Sequence, residues 1–108
     1  MKIAATVILY YPDENVIENI LSYINSVEKL YIVDNTEIPI IEITDSLKKL
    51  PNTIYLNDGE NKGIAVRLNQ VSDLASEDGF DWLLTMDQDS SFAENTFINY
   101  LNCLASFE

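Results

Sequence analysis

The chain has 108 residues, 47% of them hydrophobic, which suits one modest core and a single domain spanning 1–108. Eighteen Asp and Glu stand against six Lys and Arg, a formal net charge of −12, which argues against nucleic acid or an anionic membrane surface as partner. There is no histidine, so imidazole acid–base chemistry and His-ligated zinc are excluded.

No apolar run approaches the roughly 20 residues that a membrane helix needs. Met1-Lys2-Ile3 leads straight into a strand-like run and lacks the small-residue cleavage site of a signal peptide. One cysteine, Cys103, rules out an internal disulfide framework; it falls on the apolar side of a helical pattern and is expected in the core. A cytoplasmic setting follows as the expectation.

In chain order, Ile3 to Tyr10 is β-branched and aromatic and reads as a buried strand, broken by Tyr11-Pro12-Asp13. Asp13 is the expected N-cap of a helix carrying Val16, Ile17, Ile20, Leu21, Ile24 and Val27. Lys29 to Val33 is a second strand, ending in Asp34-Asn35-Thr36. Pro39 marks a loop, and Ile41 to Leu50 predicts a short helix closed by Pro51. Thr53 to Leu56 predicts a third strand, ending at Asn57-Asp58-Gly59.

Asn61-Lys62-Gly63 then opens a helix with Ile64, Leu68, Val71, Leu74 and Ala75 as its apolar positions, stopped by Gly79. Trp82 to Met86 is a short unbroken apolar run, which predicts a strand buried on both faces. It ends in Asp87-Gln88-Asp89. Ser91 and Glu94 make a capping box for a last helix carrying Phe97, Ile98, Leu101, Leu104 and Ala105.

Strands alternating with helices, without a hairpin signal, predict a parallel sheet in a Rossmann-like three-layer α/β domain. The last strand is expected across the topological switch from the first. Each odd polar cluster then sits at a strand's carboxyl end, where open α/β sheets bind ligands.

Several nucleotide-binding patterns are missing. No Gly-x-Gly-x-x-Gly follows the first strand, no P-loop is present, and Tyr10-Tyr11-Pro12 lacks the carboxylates of a receiver domain. Asp87 and Asp89 would point the same way if strand geometry continued, and two such carboxylates make a seat for a hard divalent cation. Asp34 either forms a turn or recognises a base or ribose. Lys62 either precedes a helix or joins its N-terminus in holding an anion, with Gly63 granting loop freedom. Arg67 is read as a surface charge in preference to a ligand contact. Of Tyr10 and Tyr11, one is expected in the core and the other free to stack on a ring.

Taken together, Val7-Ile8-Leu9-Tyr10-Tyr11-Pro12-Asp13, Ile32-Val33-Asp34-Asn35, Asn61-Lys62-Gly63-Ile64-Ala65 and Leu84-Thr85-Met86-Asp87-Gln88-Asp89-Ser90 resemble a known family. They look like the amino-terminal half of a family 2 glycosyltransferase, most similar to the rhamnosyltransferase-like members that build cell-surface polysaccharide. The resemblance covers nearly the whole chain. It implies a GT-A fold binding a nucleoside-diphosphate sugar donor across the strand ends, possessing a saccharide or lipid-linked acceptor in the full protein. By this analogy Tyr10, Tyr11 and Pro12 border the nucleobase and Asp34 hydrogen-bonds it. Lys62 and Gly63 flank the nucleotide, Asp87 contacts the ribose or sugar, and Asp89 helps hold Mn²⁺ or Mg²⁺ on the diphosphate.

Tyr11 departs from the family, many members of which have Asn there. The catalytic base and acceptor site of the family come later in its chains, so this segment alone is expected to be inactive in transfer. It is also expected to self-associate through an unpaired last strand. Two rival readings remain open. A strand ending in Asp-x-Asp and a hydroxyl residue also resembles the haloacid dehalogenase motif, with Asp87 as nucleophile and Asp89 as acid–base. The other rival is a non-catalytic nucleotide-binding module.

Overall fold

A computed structural model of the chain describes residues 2–93 and 96–105. The elements are β1 (Ile3–Leu9), α1 (Asn15–Leu21), β2 (Lys29–Asp34), α2 (Ile41–Lys48), β3 (Thr53–Leu56), α3 (Ile64–Glu77), β4 (Trp82–Met86) and α4 (Thr96–Ala105). All strand pairings are parallel and the sheet order is β3-β2-β1-β4. The expected α/β architecture is present, with the last strand on the far side of β1.

Side-chain alternation along β1 divides the core between two faces. Ile3, Ala5, Val7 and Leu9 join Leu30 and Ile32 of β2 beneath α1, α2 and α4, which contribute Val16, Ile20, Leu47 and Phe97. On the other face, Ala4, Tyr31 and Val33 pack against Val71 and Ala75 of α3 alone. Sheet and helices thus form three layers.

Several expectations change in detail. The first helix stops at Leu21 and gives way to a 3₁₀ turn over Ile24–Ser26. At the break, the Ser22 hydroxyl donates to the Asn19 carbonyl at 2.6 Å, offering the backbone a partner other than the next helical turn. The same oxygen accepts the Phe92 N–H at 3.0 Å, tying the segment after β4 to α1. The N-cap is Glu14, which makes no side-chain cap bond, and not Asp13; the Asp13 carboxylate instead accepts the Asn15 N–H at 2.9 Å, an Asx turn that leads into the helix.

On α3 the buried residues are Arg67, Val71 and Ala75, an i, i+4, i+8 stripe, whereas Ile64 and Leu74 are exposed. The β4 strand is not buried on both faces. Among the described residues β1 is its one neighbour, and Trp82 stays 39% exposed. Cys103 is exposed and does not enter the core. The expected capping box rests on Glu94, which lies outside the described residues. No helix among the described residues is long and apolar enough to cross a membrane.

The end of α3 is a Schellman motif. The Phe80 N–H bonds back to the Ala75 carbonyl at 3.0 Å and the Gly79 N–H to Ser76 at 3.1 Å, with Gly79 at φ +84°. Phe80 then packs on the α3-side core. A Cβ at Gly79 would meet only the Lys2 Nζ, at 3.9 Å, so the glycine is required by backbone conformation and not by space. Gly79→Ala is therefore expected to lower stability by about 1 kcal/mol. Urea unfolding measures it, and an unchanged midpoint would show that the turn relaxes at no cost.

Candidate functional site

The strand order reverses between β1 and β4: β2 and β3 extend the sheet on one side of β1, and β4 lies on the other. This topological switch opens a crevice that a flat array of connections would not. A cleft of about 440 Å³ lies there, lined by Ile8, Tyr10, Asn35, Asn61, Gly63 and Gln88 among others.

The Tyr10-Tyr11-Pro12 turn meets the turn after β4. The Tyr10 N–H donates to Gln88 Oε1 at 2.8 Å, and Asn19 Nδ2 donates to the Gln88 carbonyl at 3.3 Å. Both tyrosines are about half exposed, so neither belongs to the core. Their rings meet edge to face at 4.8 Å. The Tyr10 hydroxyl donates to Glu37 Oε2 at 3.1 Å, and this hydrogen bond to a carboxylate raises the phenol pKa. Tyr11 sits at φ +44°, a left-handed conformation that asparagine adopts more readily than tyrosine. The Thr36 hydroxyl accepts its N–H at 2.7 Å and helps to hold it there.

Asp87 and Asp89 do not continue the strand. Residues 87–90 form a turn in which the Ser90 N–H bonds to the Asp87 carbonyl at 2.9 Å and the Ser90 hydroxyl accepts the Asp87 N–H at 2.9 Å. Strand alternation therefore does not set the direction of the two carboxylates. Both residues are exposed, and among the described residues neither carboxylate has a hydrogen-bond or ion-pair partner. No group of three or more acidic or cysteine side chains able to hold a metal is found among the described residues. Two open carboxylates fit a hard cation that completes its shell with phosphate oxygens and water, the usual arrangement for Mg²⁺. They do not make an all-protein cage.

Asp34 and Asn35 part ways. Asp34 follows Leu30 and Ile32 onto the α1–α2 face, where it is 2% exposed. Its Oδ2 accepts the Tyr55 hydroxyl at 2.6 Å and its Oδ1 the Thr36 N–H at 3.0 Å. The space beside it measures about 10 Å³, at the lower limit for one water molecule. Burial and the Asp34 hydrogen bond push the Tyr55 phenol up to about 12. Asn35, one residue on, points with Tyr31 and Val33 to the α3 face and lines the cleft. Its position was legible from that alternation but is easily passed over beside a carboxylate.

Lys62 is exposed and pairs with Asp58 at 3.4 Å and Glu60 at 3.5 Å. Gly63, at φ +82°, is the residue before α3 and lines the cleft. Arg67 corrects the surface reading: it is 5% exposed, and all of its donors are used. Nε donates to Asn35 Oδ1 at 2.7 Å, the two terminal nitrogens grip Asp58 at 3.1 and 2.7 Å, and further bonds reach Gln70 Oε1 and the Glu60 carbonyl. Its i, i+4 spacing with Val71 was the available signal.

The Arg67 guanidinium holds the Asp58 carboxyl well below the usual carboxylate range, against an opposing desolvation. A carboxyl with a depressed folded pKa stabilises above its unfolded value, about 3.9, and loses that contribution as pH falls toward the folded value. The fall in urea midpoint between about pH 7 and about pH 3 is therefore expected to be smaller in Asp58→Asn than in the parent. Equal falls would show that the pair adds nothing. Compared with protein-family models, curated proteins and solved structures, the chain matches none.

Proposed function

We propose that the chain is the donor-binding part of a glycosyltransferase of the family 2, rhamnosyltransferase-like kind, taking a nucleoside-diphosphate sugar at the β1–β4 switch. One observation supports this reading above the others. The Tyr10 turn, the Asp87-Gln88-Asp89 turn and the start of α3 converge on one cleft at the carboxyl ends of the strands. An aromatic ring, backbone donors and two open carboxylates are the groups that a base, a sugar and a metal-bound diphosphate need.

In this reading Tyr10 offers a face to the nucleobase, and Gly63 leaves the approach to the first turn of α3 clear of a side chain. Asp89 would help hold Mn²⁺ or Mg²⁺ on the diphosphate, with Asp87 on the ribose or sugar side. Such a cation, when bound, would supply Lewis-acid stabilisation of the departing nucleoside diphosphate. In a chain of net charge −12, the same cation offsets the repulsion that a bare diphosphate meets. Asp34, tied to Tyr55 and Thr36, shapes the wall behind Tyr11 and Pro12. The acceptor, in the full protein, is a saccharide or a lipid-linked acceptor.

Calorimetric titration with UDP and dTDP, with and without Mn²⁺, tests the proposal. Binding is expected to depend on the metal, and Asp89→Ala is expected to weaken it by about tenfold or more. Metal-independent binding, or no binding of either nucleotide, would overturn the donor-site reading. An unchanged affinity in Asp89→Ala would remove Asp89 from it.

A further inference from the structure

The cleft at the switch carries three carboxamides, and each has its oxygen turned inward. Asn35 Oδ1 accepts from Arg67 Nε at 2.7 Å, Asn61 Oδ1 from the Gly63 N–H at 3.0 Å, and Gln88 Oε1 from the Tyr10 N–H at 2.8 Å. An arginine Nε–H and a backbone N–H can only donate. Each therefore requires an oxygen opposite it, which leaves each amide NH₂ on the other side. All three residues line the cleft.

Asn35 is the most constrained of them. It is 3% exposed, its oxygen is pinned by a guanidinium that is itself buried, and its Nδ2 has no partner among the described residues. That nitrogen is also not sealed from solvent, since among the described residues the sealed, unpartnered side-chain atom is the Tyr23 hydroxyl. The open cleft is where Asn35 meets solvent. Gln88 Nε2 likewise has no partner among the described residues, while the Asn61 amide lies against the Tyr10 hydroxyl. An unfilled donor nearly buried at a cleft floor costs free energy unless water or a ligand fills it.

Among the described residues no charged side chain lines the cleft, although Asp58, Glu60, Asp87 and Asp89 stand close to it in the chain. Arg67, behind Asn35, is neutralised by Asp58. The first turn of α3, which has no side-chain cap, adds backbone N–H groups on the same side as Gly63 and Ile64.

We infer that this cleft is a donor-only, uncharged site for ligand oxygens, with Asn35, Asn61 and Gln88 as its specificity-determining residues and Arg67 as the positioning residue that fixes the Asn35 amide. Resting on the proposed function, the inference assigns these donors to acceptor oxygens of a nucleoside diphosphate. Base carbonyls and phosphoryl oxygens share this chemistry. A ligand edge that offers only N–H groups is rejected.

The test uses the isosteric acids Asn35→Asp, Asn61→Asp and Gln88→Glu. Each keeps the inward acceptor, so folding is expected to be retained, and each replaces the outward NH₂ by a carboxylate oxygen. Side-chain NH₂ resonances of the parent are followed by ¹⁵N–¹H NMR during titration with UDP plus Mg²⁺, with uridine, and with inorganic pyrophosphate. The three NH₂ pairs are expected to shift together, and each acid variant to bind about tenfold or more weakly.

Shifts with uridine assign the donors to base carbonyls, and shifts with pyrophosphate alone assign them to phosphoryl oxygens and defeat the nucleotide reading while preserving the donor site. UDP binding that leaves the NH₂ resonances still, or folded acid variants that bind as the parent does, would overturn the inference and leave the proposed function standing. Still resonances with all three probes would overturn it as well. Arg67→Lys adds a check on positioning: a shifted Asn35 NH₂ signal in the ligand-free protein is expected, which a purely structural role for Arg67 does not require.

Discussion

The arginine buried beneath the carboxyl edge of the sheet is the constraint on which the rest of the site depends. Arg67 belongs to α3, yet its bonds reach the end of β2 through Asn35 and the loop after β3 through Asp58 and Glu60. Three chain segments, one of them 32 residues away in sequence, meet on one planar fork. A guanidinium suits this task because its donors have fixed directions, so satisfying all of them sets the relative positions of the acceptors. Lysine would supply the charge without that geometry.

A buried cation is not cheap, and the surroundings show how the cost is met. Asp58 closes the bidentate pair from the solvent side, where it also draws Lys62. The remaining donors go to neutral oxygens, which satisfy hydrogen bonds without adding charge to an already acidic chain. Apolar groups of similar volume in place of the network would come close to its stability, since such pairs often break even against hydrophobic packing. It would not hold Asn35 with its oxygen inward. The network is better explained by the orientation it imposes than by the stability it adds.

The sheet itself was legible in the sequence. Four short apolar runs, punctuated by Pro12, Pro39, Pro51, Gly59 and Gly79, give strand and helix order, and the absence of hairpin turns gives the parallel sense. The site was legible only as a set of loops. Composition cannot separate an edge strand from a buried one, which is why Trp82–Met86 read as buried. A turn resets side-chain direction, so the alternation assumed for Asp87 and Asp89 ended at Met86. Charge drew the eye to Asp34 where alternation favoured Asn35. An arginine in an apolar stripe carries no sequence mark that distinguishes a hub from a solvated side chain. Polar side chains take their roles from partners brought together by the fold, and a linear reading sees only their neighbours.

On the proposed reading, the polar groups at the switch divide by charge. The neutral donors occupy the cleft, and the open carboxylates occupy the turn that carries Gln88 between them. A bare anion approaching a chain of −12 is repelled until a cation joins it, whereas a carbonyl oxygen is not. Placing carboxylates in the cleft itself would repel the ligand's oxygens; placing cations there would bind any anion. Amides with pinned oxygens avoid both faults, because they attract acceptors at short range and exert little field at long range. Gln88 couples the two halves mechanically: its side chain holds the Tyr10 turn, and its backbone belongs to the turn that carries the carboxylates. Any shift of that turn on cation binding would be transmitted to the Tyr10 backbone through this single hydrogen bond.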